Sequence, residues 1–582
     1  MIFQNIYNQK IVYIRWSFAF CFSLILIRLI HLQIVQYQQL KLFSVKNFLR
    51  FKSIPTQRGN ILDCNGIALA TNRPVTQLHW KGSGNQSLNT NQIHAIEIIT
   101  RVLNTDRIPT LAKFKHTEKY KLELMIASEI SEEQLCLIAE QCSDSGNIIF
   151  NTVFERFYPF ETLACHILGY LGDVHLQYHG KMGLEKIFEE QLRGDPTIMM
   201  QQTNSFGAPL ETEKIKDGCA GNDLKTSIDL ELQQIVETAM QEELEGSCLL
   251  MDPETGMIKA LVSKPNFNPS LFLKKLTPEQ WQQIQDQKLF LNRALNASYP
   301  PASIFKLVTI AAALEKKLIT TTSHFVCNGY CVFKDRQYFC SKNEGHGYID
   351  TKDALAFSCN IPFFEIAKRL HIDTLAEYAH IFGLGTKTNI IFGEQSGLIP
   401  TNDWKIATKG ERWWVGETLS ATIGQSFLLT TPIQIACMIG AIFNGNLVKP
   451  QIIADAPVEK KPLEIDYQTR MFLQECMRAA TLIGTAQRIN KIGTLTIFAK
   501  TGTAQTKTRK KNQKPGEEKA TRLDCEHAWF VSYFYTDHSK PLVLVMLLEH
   551  VGRSTYATKV AHKFFKSYVK WEKGKQRTAR TQ

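Results

Sequence analysis

Tyr299-Pro300-Pro301-Ala302-Ser303-Ile304-Phe305-Lys306 runs directly into Leu307-Val308-Thr309-Ile310-Ala311-Ala312-Ala313-Leu314. The prolines suit a helix entrance, where the first N–H groups have no partner and the ring presets φ. The run after Lys306 has no polar face, which predicts a buried helix. Ser303 and Lys306 fall one turn apart on the same face. Ser303 stands at the positive end of that helix, where developing negative charge is favoured. A serine becomes a useful nucleophile when a neighbouring base takes its proton. A lysine can be that base if burial and nearby positive charge favour its neutral form.

Ser-x-x-Lys alone is common by chance. Here Ser358-Cys359-Asn360 follows, and then Lys500-Thr501-Gly502-Thr503 on a β-like segment over residues 494–505. Those three motifs, in that order, are the set shared by penicillin-binding proteins and β-lactamases. Taken singly, Ser358 reads as a helix cap, Asn360 as a turn residue, and Thr501 and Thr503 as ordinary strand residues.

A length of 582 residues implies two or three domains, and 44% hydrophobic content supports sizeable cores. The formal charge of +12 suits an anionic membrane surface or wall polymer, and no nucleic-acid motif accompanies it. Residues 11–35 are the membrane candidate. A span needs about 20 largely apolar residues, so this one requires Arg28 to snorkel or pair. No small-x-small cleavage site follows soon after it, so an uncleaved anchor is expected, and the flanking positive charges do not fix its orientation.

Residues 41–222 mix short β-like runs with amphipathic helices and hold no nucleophile-and-base pair, which predicts a structural pedestal. Residues 226–242 look helical, and residues 246–263 read as strand–turn–strand. Helical segments dominate 303–382 and 432–444, and strands return at 494–505, 527–535 and 542–549. Strands on both sides of a helical block predict an α+β domain, one sheet covered by helices. The expected division is a 1–40 anchor, a 41–222 pedestal, a 223–572 α+β domain carrying the three motifs and a disordered basic tail at 573–582. The lysine-rich stretch 507–519, with Arg509, Lys510, Lys511 and Lys514, reads as a solvated loop.

Residues 50–570 resemble a class B penicillin-binding protein, a monofunctional peptidoglycan transpeptidase with an antiparallel sheet covered by helices. The resemblance rests on Gln57-Arg58-Gly59-Asn60-Ile61-Leu62-Asp63, on 156–170, on Asn292-Arg293-Ala294, on the three motifs and on His527-Ala528-Trp529-Phe530. Lys500-Thr501-Gly502-Thr503-Ala504-Gln505 and Gly345-His346-Gly347 make it most similar to the elongation type, penicillin-binding protein 2. Ala302 departs from the pattern, which has glycine there.

The resemblance implies that Ser303 attacks the penultimate D-alanine carbonyl of a stem peptide, with Lys306 as base. Ser358 would pass a proton to the leaving amine, Asn360 would hold Lys306 and the substrate amide, and Lys500 would supply positive charge. Thr501, Gly502 and Thr503 would bind the terminal carboxylate side. The backbone N–H groups of Ser303 and Thr503 would form the oxyanion hole. It further implies inhibition by β-lactams, no cofactor for catalysis, a single-pass location in the bacterial inner membrane with the catalytic domain outside, and a membrane glycosyltransferase partner. Gly424-Gln425 resembles a segment near such sites and reads equally as a plain loop. A β-lactam hydrolase or sensor, and a non-catalytic scaffold, are the competing functions.

Fourteen cysteines are scattered except for Cys327, Cys331, Cys340 and Cys359. Cys327, Cys340, His346 and Cys359 are a standard zinc donor set, though their spacing is not that of a zinc finger. Some elongation-type relatives resemble this arrangement, with a last ligand inside the Ser-x-Asn motif. Cys331 is a substitute for Cys327. A disulfide from Cys327 or Cys331 to Cys340, or unpaired apolar thiols, account for the same residues.

Overall fold

The computed structural model describes residues 2–104, 108–142, 146–174, 177–204, 209–490, 492–505 and 525–581. The lysine-rich stretch 507–519 lies outside them. Two compact units emerge: residues 1–58, 72–155 and 193–221, and residues 59–71, 156–192 and 222–582.

The first unit begins with helix Ile2–Ile30, extended by a π turn, His31–Val35. Residues Val12–Val35 are long and apolar enough to cross a membrane, and the helix continues through Arg28. Its side chains are exposed from Val12 to Ile30. An antiparallel sheet of Leu49–Ile54, Thr197–Thr203 and Pro209–Lys216 follows. A further core forms where helix Thr90–Leu103, capped by Asn89, packs over strand Glu123–Ala127 and its neighbours. Glu118 is fully buried there, satisfied as an acceptor by Trp80 Nε1 at 3.3 Å, Gln92 Nε2 at 3.0 Å and Asn147 Nδ2 at 3.2 Å.

In the second unit, Arg156 Nε donates to Glu185 Oε1 at 2.7 Å with both side chains buried, and Arg156 Nη1 donates to Gly59 O at 2.8 Å. Tyr158 adds a hydroxyl to the same carboxylate at 3.2 Å. The sequence patches around Gly59 and Arg156 are thus one buried polar cluster.

The central sheet orders its strands Ile258–Lys264, Gly246–Met251, Leu542–Leu548, His527–Tyr535 and Thr496–Ala504, all antiparallel. Leu542–Leu548 is central and buried at every position. Its side chains alternate: Val543, Val545 and Leu547 join the core of the helix carrying Lys306, while Leu544, Met546 and Leu548 join that of the C-terminal helix. Both faces are covered, which explains a strand with no polar side.

Three expectations need correction. Residues 303–382 are not uniformly helical: His324–Cys327 pairs with Gly347–Asp350, and Tyr330–Phe333 pairs with Arg336–Phe339. The helix expected over 226–242 is the shorter Leu230–Ala239, because Asp229 caps it by accepting from Glu231 N and Leu232 N. The tail from 573 is not irregular: the helix that begins at Ser554 runs to Thr581. Val560, Phe564, Phe565 and Tyr568 anchor that helix in the core, and lysine and arginine propagate a helix well once it is nucleated.

Candidate active site

Pro301 leads into a single 3-10 turn, Ala302–Ile304, and the α-helix Lys306–Glu315 follows. Residues i and i+3 eclipse in a 3-10 turn, so Ser303 and Lys306 share a side as the motif requires. Lys306 through Ala313 are all buried, as the missing polar face predicts.

Neighbours fix this turn closely. Tyr299 bridges Thr430, Trp529 Nε1 donates to Pro300 O at 3.0 Å, and Ala302 N donates to Gly424 O at 2.9 Å. Ala302 takes a left-handed φ of 49°, which explains the family's preference for glycine there. Gly424 has φ of 74°, and a Cβ on it would lie 2.0 Å from Ala302 O, backbone against backbone. Gly424→Ala is therefore expected to displace the Ser303 turn. Thermal denaturation should show a loss of about 1–3 kcal/mol, and β-lactam acylation of the surviving folded protein should fall steeply.

Lys306 is fully buried. Its Nζ donates to Asn360 Oδ1 at 2.7 Å, Ser358 O at 2.9 Å, Cys359 O at 3.2 Å and Ser358 Oγ at 3.3 Å. Burial lowers its pKa to about 8, against an opposing pull from the Cys359 and Cys340 thiols. Lys500 is also fully buried, and its Nζ donates to Ser358 Oγ at 3.0 Å and Thr501 O at 3.1 Å. Desolvation, then the Lys306 charge, holds Lys500 well below an ordinary lysine. Ser358 Oγ accepts from both lysine nitrogens, and Ser358 keeps a left-handed φ of 56° under those contacts.

Lys306, Ser358, Asn360 and Lys500, spread over 194 positions of sequence, thus form one hydrogen-bonded cluster. Ser303 sits half-buried beside it. Among the described residues no hydrogen bond joins Ser303 Oγ to Lys306 Nζ, whose donors are turned to the Ser358–Asn360 segment. Such bonds commonly tighten only when substrate arrives. The motif strand Thr496–Ala504 is an edge strand, and Gly502 lets it approach the turn: a Cβ there would lie 3.4 Å from both Ala302 Cβ and Pro301 O. Thr501 Oγ1 donates to Thr485 Oγ1 at 2.7 Å, while Thr503 Oγ1 accepts from Ser554 N at 3.1 Å.

Several contributors carry no sequence signal that singles them out, among them Thr485, Ser554 and the Phe339 carbonyl, which accepts from Asn360 Nδ2 at 3.0 Å. Gln425 borders the site, donating to Thr503 O at 3.3 Å.

Cys327, Cys340, His346 and Cys359 meet, with ligand atoms all within 4.8 Å of one another. His346 Nδ1 lies 3.6 Å from Cys327 Sγ and 3.5 Å from Cys340 Sγ, and Cys340 and Cys359 Sγ are 3.7 Å apart. Edges of a tetrahedral zinc site would be about 3.8 Å for two sulfurs and about 3.6 Å for sulfur and nitrogen, given metal–ligand bonds of about 2.3 and 2.0–2.1 Å. A disulfide would put the sulfurs about 2.05 Å apart. All these cysteines are free thiols here, and Cys331 instead faces Glu365 Oε1 at 3.4 Å. The Cys359 thiol pulls Cys340 down toward thiolate, while Cys340, then burial, pushes Cys359 up.

A fully buried lysine beside a serine on a turn, with a second lysine across a shared hydroxyl, is an arrangement for acyl transfer, and the family assignment agrees. The family model for the penicillin binding protein transpeptidase domain matches residues 246–570, more than half of the chain, and the penicillin-binding protein dimerisation domain matches residues 53–226. The chain belongs to the penicillin-binding protein transpeptidase family. It is similar to the peptidoglycan D,D-transpeptidase MrdA of Acinetobacter baumannii, with 28% identity covering 94% of this chain and 86% of that one. A solved structure described as structural coordination of polymerization and crosslinking by a peptidoglycan synthase complex matches with TM-score 0.72 and 27% identity, over 96% of this chain and 98% of that one. The penicillin-binding protein PBP2 of Helicobacter pylori, solved in complex with MreC, shares the fold with TM-score 0.74 at 24% identity, over 90% of this chain and 99% of that one.

Proposed function

We propose that this chain is a peptidoglycan D,D-transpeptidase of cell-wall elongation, working through an acyl-enzyme on Ser303. The observation that carries the reading is the fully buried Lys306 amine, its pKa lowered by desolvation, held by Ser358 and Asn360 one turn from Ser303. Ser303 Oγ attacks the carbonyl of the penultimate D-alanine and yields its proton to neutral Lys306. The oxyanion gathers at the Ser303 and Thr503 N–H groups. Ser358 relays a proton to the departing D-alanine amine, and Lys500 stabilises the charge that passes through the shared hydroxyl. An amine of a neighbouring stem peptide then displaces Ser303, restoring the serine and forming the cross-link. Atoms balance: one amide is exchanged for another, and one D-alanine leaves.

Residues 1–40 would provide a single-pass anchor in the bacterial inner membrane, residues 41–222 the pedestal, and residues 223–572 the catalytic domain on the outer face, followed by the basic tail. The named neighbours support a partner within the wall-synthesis machinery, here taken to be a membrane glycosyltransferase. Covalent labelling with a reporter β-lactam tests the reading: a transpeptidase keeps the adduct for many minutes, whereas a hydrolase sheds it and a scaffold never forms it.

Catalysis itself needs no cofactor in this reading. The Cys327, Cys340, His346 and Cys359 set fits a structural zinc, as its tetrahedral-edge distances support. Such an ion would supply no chemistry to the reaction. It would tie Cys359, between Ser358 and Asn360, to Cys340, next to the Phe339 carbonyl that orients Asn360. Purified protein should carry about one zinc per chain by elemental analysis. His346→Ala should lower zinc content and slow acylation together. Metal-free protein two hydrogens lighter per bridged cysteine pair would contradict the zinc reading.

A further inference from the structure

The chain leaving the central strand comes back to the site along residues 549–554. Glu549 is buried and accepts from Arg293 Nε at 2.8 Å and from the Tyr299 hydroxyl, two residues upstream of Pro301. Val551 N and Gly552 N both donate to Glu526 O, at 3.1 and 2.9 Å. Ser554 N donates to Thr503 Oγ1 at 3.1 Å. The loop is thus pinned at three points, and Arg553 is held one residue from the contact with Thr503. Arg553 is exposed, and among the described residues its guanidinium has no ion pair or hydrogen bond.

A substrate carboxylate arriving at Thr503 needs a hydrogen-bond donor and a compensating charge. Because Thr503 Oγ1 accepts from Ser554 N, its own hydrogen remains free to donate. The Thr501 hydroxyl is directed to Thr485. Lys500, Lys306, Arg293 and His527 are occupied or neutral. Lys500 is buried against Ser358 and Thr501, Lys306 against Ser358, Cys359 and Asn360, and Arg293 against Glu549 and Glu245. His527, which neighbours Ala504 in register, is driven by burial to a pKa of about 4 and is uncharged at neutral pH. That leaves Arg553, one residue from the Ser554–Thr503 contact, as a permanent, solvent-accessible positive group on this loop, and its fork matches a carboxylate in bidentate geometry.

We propose that Arg553 is a substrate-binding residue whose guanidinium pairs with the terminal carboxylate of the donor peptide, and with the equivalent carboxylate of a β-lactam, as that carboxylate is held by Thr503. The inference rests on the transpeptidase reading above. It gives the carboxylate selectivity of the site to a loop outside the three motifs, and it divides labour: buried Lys500 serves proton and charge transfer at Ser358, and exposed Arg553 serves recognition.

The test uses the full-length protein in detergent with two probes, a fluorescent penicillin bearing its free carboxylate and the same compound as the carboxamide. Saturation kinetics of acylation separate the initial binding constant from the acylation rate constant. Arg553→Ala should weaken binding of the free acid by roughly 10- to 100-fold, the scale of a charge-assisted bidentate contact. Its acylation rate constant should stay within about 3-fold, and its handling of the carboxamide should match that of the unaltered protein. Arg553→Lys should recover part of the loss. An equal loss for both probes would mean a structural role and overturn the proposal, and unchanged discrimination between acid and amide would overturn it equally. If the unaltered protein forms no adduct at Ser303 with either probe, the transpeptidase reading itself falls, and this inference falls with it.

Discussion

Ser303→Ala is expected to abolish covalent β-lactam labelling while the protein stays folded. The side chain removed is one hydroxyl on a half-buried turn, and no described hydrogen bond depends on it. Thermal denaturation should therefore move little, since substitutions away from packing, caps and networks usually change stability by at most about 0.5 kcal/mol. Labelling, by contrast, has no alternative route. The other hydroxyl in the cluster, Ser358 Oγ, is already engaged as an acceptor from both Lys306 Nζ and Lys500 Nζ. Gel fluorescence with a reporter penicillin reads the result directly, and a folded Ser303→Ala protein that still labels would remove Ser303 from its role.

Lys306→Ala should reduce acylation by roughly 10²–10⁴-fold, the usual worth of a positioned general base. Here the change goes further than losing a base. Asn360 Oδ1 and the Ser358 and Cys359 carbonyls all accept from Lys306 Nζ, so truncation leaves three acceptors facing a cavity. Lys306→Met keeps most of the volume and separates the two effects. If it restores stability but not acylation, the lysine acts on the proton of Ser303. If it restores both, Lys306 serves only to hold the loop.

The motif residues could be read from the chain because each motif lies on a short local element. Ser303 to Lys306 is one turn, and Thr501 to Thr503 is one strand. The strand–turn–strand at 246–263 and helix Pro432–Asn444 were legible for the same reason, since uninterrupted apolar runs bounded by turn residues have few other solutions. The short strands between His324 and Asp350 were not legible. They are four residues each, half exposed, and held by pairing across turns rather than by a continuous apolar pattern. The Ser554 contact with Thr503 was hidden because a backbone N–H carries no residue signature, and its 51-residue separation is set by the sheet order. Ala302 could be flagged as a departure from a family pattern, but only its positive φ shows why glycine is the common choice.

Acyl transfer from Ser303 to an amine acceptor can be followed product by product. The full-length protein is incubated with a stem-peptide donor ending in D-Ala-D-Ala and with an amine-bearing acceptor peptide, and products are followed by mass spectrometry. One D-alanine should be released for each cross-linked dimer, with a transient adduct on the peptide containing Ser303, and Ser303→Ala should give neither. Release of D-alanine with only the hydrolysed donor as product, or cross-linking that survives in Ser303→Ala, would contradict acyl transfer from Ser303 to an amine.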